Sequence, residues 1–320
     1  MVRGGDVYMG TKDIVILLAI MVFFSTVNIS KEQVVASASI PTVNYILANN
    51  NESNNYGLSE SKYLLEYEKR MKKEAIQEQR KIDTLEKGIR ALVGNDINKF
   101  GMVYYDINSK ETIEINGDKQ FVAASTVKVP INMLMYDMVV DKKIDINEKL
   151  KYIDSDFENG AGILQKADLI KPISIKTLSD YSIIYSDNIA INMILRKIDN
   201  ENKYKFIEEI VGYPIVHEGN NITPKESSKI LERLYLNPEN NKYYSDMIET
   251  MKKTKCHDRI DKYIPQKIVA HKIGDFGEYI NDTAIVCTDN PYILVIFTKG
   301  IPDAKNVIAK VSKLIYDSAK

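Results

Sequence analysis

The stretch Phe121-Val-Ala-Ala-Ser-Thr-Val-Lys-Val-Pro130 opens an apolar helical run and puts a serine and a lysine three residues apart at its start. Residues three apart share one face of a helix. A serine at a helix start also meets free backbone N–H groups and the positive end of the macrodipole. On these residues alone two readings stand open: a nucleophile with its base, or an N-cap. Upstream, residues 101–107 and 111–116 are β-rich and split by Asn108-Ser109-Lys110, a hairpin signal. Downstream, from about Ser125 to Lys252, the apolar periods are mostly helical. Strands return at 267–273, 283–288 and 292–298, and a helix over 304–318 follows. Strands from both chain ends pair in one antiparallel sheet only if the helical middle is an inserted lobe. The expected fold class is therefore α/β plus an all-α lobe, with a ligand cleft between sheet and lobe.

The bulk properties narrow the function. The 320 residues carry a formal net charge of -1, with 44% hydrophobic and 27% charged residues. That balance gives no electrostatic reason to expect a nucleic-acid partner. Cys256 and Cys287 are too few for a disulfide framework, and His217, His257 and His271 lack metal-ligand spacing, so neither metal nor cofactor is expected. Residues 14–24 are unbroken apolar, about the length of a signal-peptide core, and Ala36-Ser37-Ala38 offers a small-x-small cleavage site. Residues 1–38 are thus expected to be a signal peptide or membrane anchor, the chain's one membrane contact, placing the rest outside the cytoplasm. Residues 39–81 read as an Asn-rich linker and a charged helical spacer, since Asn49 to Asn55 cannot bury enough apolar surface to order. Ile82, Leu85, Ile89 and Leu92 then mark the first helix of a domain over 82–320, expected to be a monomer.

Ser-x-x-Lys alone is weak evidence: Ser59-Glu60-Ser61-Lys62 repeats it in the charged helix, where plain helix surface is the reading. Ser125 and Lys128 differ because Ser186-Asp187-Asn188 follows in the helical lobe and Lys272-Ile273-Gly274 on a strand. In that order the three motifs resemble the class A β-lactamases among the active-site serine, penicillin-recognising enzymes, from about residue 82 onward. The resemblance implies a β-lactamase/transpeptidase-like fold and residue roles. Ser125 is the nucleophile, Lys128 its base, and Ser186 the proton relay to the leaving nitrogen. Asn188 holds Lys128 and the substrate amide, and Lys272 draws in the substrate carboxylate. Gly274 lets substrate lie along the strand edge, and the backbone N–H groups of Ser125 and Asp275 form the oxyanion hole.

Two departures stand out. The third motif has Ile273 where the family carries a hydroxyl that binds the substrate carboxylate, a loss on the order of 1 kcal/mol. Ile273→Thr is accordingly expected to lower the KM for a penicillin; an unchanged KM would refute this. The family also places a water-activating glutamate, in a Glu-x-x-Leu-Asn stretch, after Ser-Asp-Asn. Residues 208–224 are short and lack that pattern, leaving Glu218 as the best-placed candidate base and Glu208 and Glu209 on a helix face. Without such a base acylation proceeds while deacylation stalls. Three functions follow from this: a β-lactamase, a cell-wall peptidase acting on peptidoglycan stems, and a non-catalytic envelope scaffold.

Overall fold

The computed structural model describes residues 55–319, with side chains from Tyr63 onward. The expected signal or anchor segment and most of the Asn-rich linker lie outside the described residues. Chain contacts define two units, Met1–Ile76 and Gln77–Lys320. Within the second unit the elements alternate as the sequence patterning requires. Helix α1 (Asn55–Val93), which begins in the first unit, leads to the hairpin of β1 (Phe100–Asp106) and β2 (Thr112–Ile115). A short β3 (Phe121–Val122) and a 3-10 turn, Ala124–Val127, run into α2 (Lys128–Val140). The lobe continues with β4 (Lys149–Leu150), β5 (Ile173–Ser174), α3 (Ile175–Ile184), α4 (Asn188–Ile198), α5 (Asn200–Val211), β6 (Asn221–Ile222), α6 (Pro224–Leu236) and α7 (Lys242–Met251). Three strands and a helix complete the chain: β7 (Val269–Phe276), β8 (Tyr279–Val286), β9 (Tyr292–Lys299) and α8 (Ala304–Ser318). Among the described residues no helix is long and apolar enough to cross a membrane.

The sheet is antiparallel in the order β2-β1-β9-β8-β7, so strands from both ends of the domain meet at the β1–β9 pair. Side chains alternate across it with period two. Tyr292, Leu294 and Ile296 face α1 and α8, packing with Ile89, Ile308, Val311 and Ile315. Ile293, Val295 and Phe297 face the helical lobe and join Phe121, Ile131, Met135 and Leu231. Strand β9 is buried on both faces and therefore reads as an unbroken apolar run. The apolar stripe of α1 docks as expected, with Leu85 and Ile89 buried and Ile82 and Leu92 half-buried against the same core.

The helices of the lobe start where the sequence supplies caps. Thr223 and Glu226 form a reciprocal capping box with Pro224 in the first turn of α6. Asp187 caps α4 by accepting from the Ala190 N–H. This second cap belongs to the Ser-Asp-Asn motif, so local helix chemistry and the site share one residue.

Candidate active site

Ser125 sits in the 3-10 turn before α2, and the nominal cap positions there, Ala123 and Val127, make no side-chain cap bond. Ala124 holds a left-handed φ of 48°, a conformation that a non-glycine residue adopts only when its surroundings enforce it. What enforces it is tertiary. The Ala123 N–H donates to Asn220 O at 2.8 Å, Asn220 Nδ2 donates to Ala124 O at 3.1 Å, and β3 pairs with β6. From the sheet side, Asn281 Nδ2 donates to Val122 O at 2.8 Å. The nucleophile's turn is thus clamped from both layers.

Lys128 begins α2 and is buried at 3% exposure. Its Nζ donates to Ser186 O at 2.6 Å and to Asn188 Oδ1 at 2.7 Å, and lies 2.9 Å from Ser125 Oγ. The first two partners can only accept, so they take two of its protons. The third direction meets a hydroxyl, which can donate as well as accept. A neutral Lys128 therefore fits the cage with its lone pair on the Ser125 O–H. Burial lowers its pKa to about 8, with the Glu158 and Asp187 carboxylates pulling the other way.

Lys272 is buried on β7, where Nζ donates to Ser186 Oγ at 2.9 Å and to Ile273 O at 2.9 Å. Burial, reinforced by the Lys128 charge, drives its pKa well below the ordinary lysine value. Ser186 itself holds a φ of 55° and places Oγ between the two lysines, 3.4 Å from Lys128 Nζ. The structure therefore brings together Ser125, Lys128, Ser186, Asn188 and Lys272.

Gly274 and Asp275 follow on the same strand, which is the free edge of the sheet. A Cβ at Gly274 would fall 2.5 Å from Ala123 O and 3.1 Å from Ser125 N, so only glycine lets β7 approach the nucleophile's turn this closely. Ile273, half-buried, points to the other side of the strand from these neighbours, in register with Asp282. Asp275 is gripped by a residue the motif reading passed over. Arg259, fully buried, donates from Nη1 to Asp275 Oδ1 at 2.5 Å and from Nη2 to Oδ2 at 3.0 Å. It also donates to Asn281 O at 2.9 Å and to Asp258 Oδ1 at 2.9 Å. Its neighbour Asp258 does not signal this, because the other two partners, Asp275 and Asn281, lie on separate strands.

The loop 158–164 forms a further wall. Asp187 Oδ2 accepts from the N–H groups of Ile163 and Leu164 at 2.7 and 2.8 Å, and Asn188 Nδ2 donates to Glu158 Oε1 at 3.2 Å and to Asn159 O at 3.3 Å. Asn192 Nδ2 donates to the other Glu158 oxygen at 3.0 Å. One of the two carboxylates that act on Lys128, Glu158, thus comes from the loop before the Ser-Asp-Asn motif, and the other, Asp187, from the motif itself. Glu218, the candidate base from the sequence, is exposed instead. Its backbone carbonyl accepts from Asn221 Nδ2, and the loop residue that reaches the nucleophile's turn is the neutral Asn220. Glu208 is occupied by His217 Nε2 at 2.8 Å and the Ile215 N–H at 3.1 Å.

A half-buried serine against a buried lysine, a second serine held between two lysines and a glycine-bearing edge strand define an active-site serine hydrolase. The chain belongs to the β-lactamase enzyme family, whose model matches residues 84–319. It is 27% identical over 247 residues to β-lactamase BRO-1 of Moraxella catarrhalis, covering 68% of this chain and 79% of that protein. It is 26% identical to β-lactamase SME-1 of Serratia marcescens, covering 73% and 88%. The fold matches PBP-A with a TM-score of 0.67 at 21% identity, covering 73% of this chain and 95% of that one. The β-lactamase of Sphaerobacter thermophilus matches with a TM-score of 0.66, also at 21% identity, covering 73% and 97%. The chain is a serine β-lactamase-type hydrolase with the expected sheet-and-lobe fold.

Proposed function

We propose that the chain is an exported hydrolase that opens the amide of a β-lactam through an acyl-enzyme on Ser125. The observation that carries this is the Lys128 cage, in which two acceptor-only partners leave the amine lone pair for the Ser125 hydroxyl. In the first step the Ser125 proton passes to Lys128 as the Oγ–carbon bond forms. The N–H groups of Ser125 and Asp275 receive the charge on the carbonyl oxygen. As the carbon–nitrogen bond breaks, the ring nitrogen takes the Ser186 proton, and Ser186 recovers one from Lys128 across their 3.4 Å contact. Lys272 holds Ser186 in place and meets the substrate carboxylate, whose charge favours the protonated amine that burial opposes. Export rests on the apolar run at residues 14–24 and its cleavage site.

The loop between α5 and α6 favours a second reading at the hydrolysis step. The side chain it brings to the nucleophile's turn is that of Asn220, and an amide cannot remove a proton from water. Slow deacylation then makes the protein a penicillin-binding peptidase whose turnover substrate is a peptidoglycan stem. Intact mass of the full chain after mixing with benzylpenicillin separates the readings. A penicillin-sized mass increase is expected in the wild type and none in Ser125→Ala. A short-lived adduct with product release supports β-lactam turnover, whereas an adduct lasting hours supports the peptidase. An unlabelled wild type would refute both.

A further inference from the structure

The period-two alternation that points Lys272 toward Ser186 turns His271 to the opposite face of β7, where it is fully buried. His271 Nδ1 approaches both oxygens of the buried Asp282, at 3.0 and 3.1 Å. A carboxylate in that position holds a proton on Nδ1 and turns Nε2 away from Asp282, toward Asp261. Asp261, also buried, comes from the turn preceding β7 and lies with Oδ2 3.3 Å from that Nε2. The two atoms are within ion-pair distance yet make no hydrogen bond, and both His271 Nε2 and Asp261 Oδ1 are buried without any hydrogen-bond partner. His257 Nδ1 contacts the same Asp261 carboxylate, and its side chain remains 35% exposed. One donor atom from each of the three residues falls within 4.8 Å of the others. Fourteen positions separate the two histidines, a spacing that signals no metal site, and only the fold of the 257–261 turn against β7 brings them together.

We propose that His257, Asp261 and His271 form a binding site for a divalent transition metal, Zn2+ in the first instance, distinct from the catalytic serine site. Zinc bonds of about 2.0–2.2 Å place neighbouring donors about 3.3–3.6 Å apart in a tetrahedron, a separation that Asp261 Oδ2 and His271 Nε2 already have, while the closer His257 Nδ1–Asp261 Oδ2 contact has to open as the ion enters. Two imidazoles and a carboxylate are borderline donors suited to zinc rather than to calcium or magnesium. Asp282 is the outer carboxylate that orients His271. The exposed edge of His257 supplies the entry path and a water-accessible fourth position. The site would tie the 257–261 turn, which carries Arg259, to the strand that carries Lys272 and Asp275.

The test is calorimetric titration of the full chain, stripped with a chelator, with Zn2+ alone, beside titration with Co2+ followed by visible absorption. The expected result is one ion per chain, a ligand-field band with Co2+, and a higher melting temperature with Zn2+. His257→Ala, at a half-exposed position that the core does not depend on, is expected to weaken binding by about tenfold or more while circular dichroism stays unchanged. Two results overturn the proposal. One is neither heat nor a cobalt band in the wild type, which leaves the cluster a proton-sharing histidine–aspartate network. The other is equal affinity in His257→Ala, which moves the ion elsewhere.

Discussion

Lys128→Met is expected to lower the rate constant for acylation by a penicillin by about 10²–10⁴-fold, the range a positioned general base contributes. Methionine fills the buried volume but has no lone pair for the Ser125 proton. Lys128→Arg should fail as badly, since a guanidinium cannot be deprotonated and keeps only the charge. That pairing matters, because a role in holding positive charge near the substrate would spare the arginine variant. The pH profile carries the same message. Burial sets the Lys128 pKa at about 8, so acylation in the wild type should climb as pH rises toward 8 and level off above it. At pH 7 about one molecule in ten holds the neutral amine. Stopped-flow acylation of the wild type and both variants decides the matter, and a methionine variant within about threefold of the wild type would place the base elsewhere.

The sequence made legible what depends on local pattern. The hairpin at 101–116, the apolar strand at 292–298 and the helix at 304–318 all appear as β1–β2, β9 and α8. Strand β8 begins earlier than its apolar run suggested, at Tyr279, because Asn281 and Asp282 look like loop residues. In the fold both are fully buried and satisfied: Asn281 Nδ2 donates to Val122 O, and Asp282 accepts from His271 and the Ile260 N–H. Polar strand residues of this kind are visible only once their partners are in place. The same limit applied to the site. Three short motifs located five interacting residues, since each motif is a contiguous turn or strand. Arg259 and Asn220 stayed hidden because their roles are contacts across 16 and 96 positions. Glu158 escaped notice for a related reason. It precedes Ser-Asp-Asn, whereas the family's water-activating glutamate follows that motif.

Arg259→Leu is expected to cost about 3 kcal/mol of stability, the lower end of what breaking a buried ion pair costs. The lower end applies because Asp275 and Asp258 keep 43% and 41% of their side-chain surface in water, so neither is left as a fully buried charge. The guanidinium itself has no exposure, and the Asp275 and Asp258 carboxylates hold its pKa above the usual arginine value despite that burial. For a unit of this size the loss corresponds to a melting temperature about 6–12 °C lower. The second effect is on chemistry. Freed from its two-pronged grip, Asp275 no longer fixes the end of β7 whose N–H is to meet the developing oxyanion. A displacement of about 1 Å there lowers acylation by up to about 10²-fold. Arg259→Lys separates the two effects: an ammonium restores the charge but not the planar fork. It should recover part of the melting temperature while acylation stays slow, as thermal melts and single-turnover kinetics on the same preparations would read. A leucine variant that melts with the wild type would show that Arg259 does not hold this edge of the sheet.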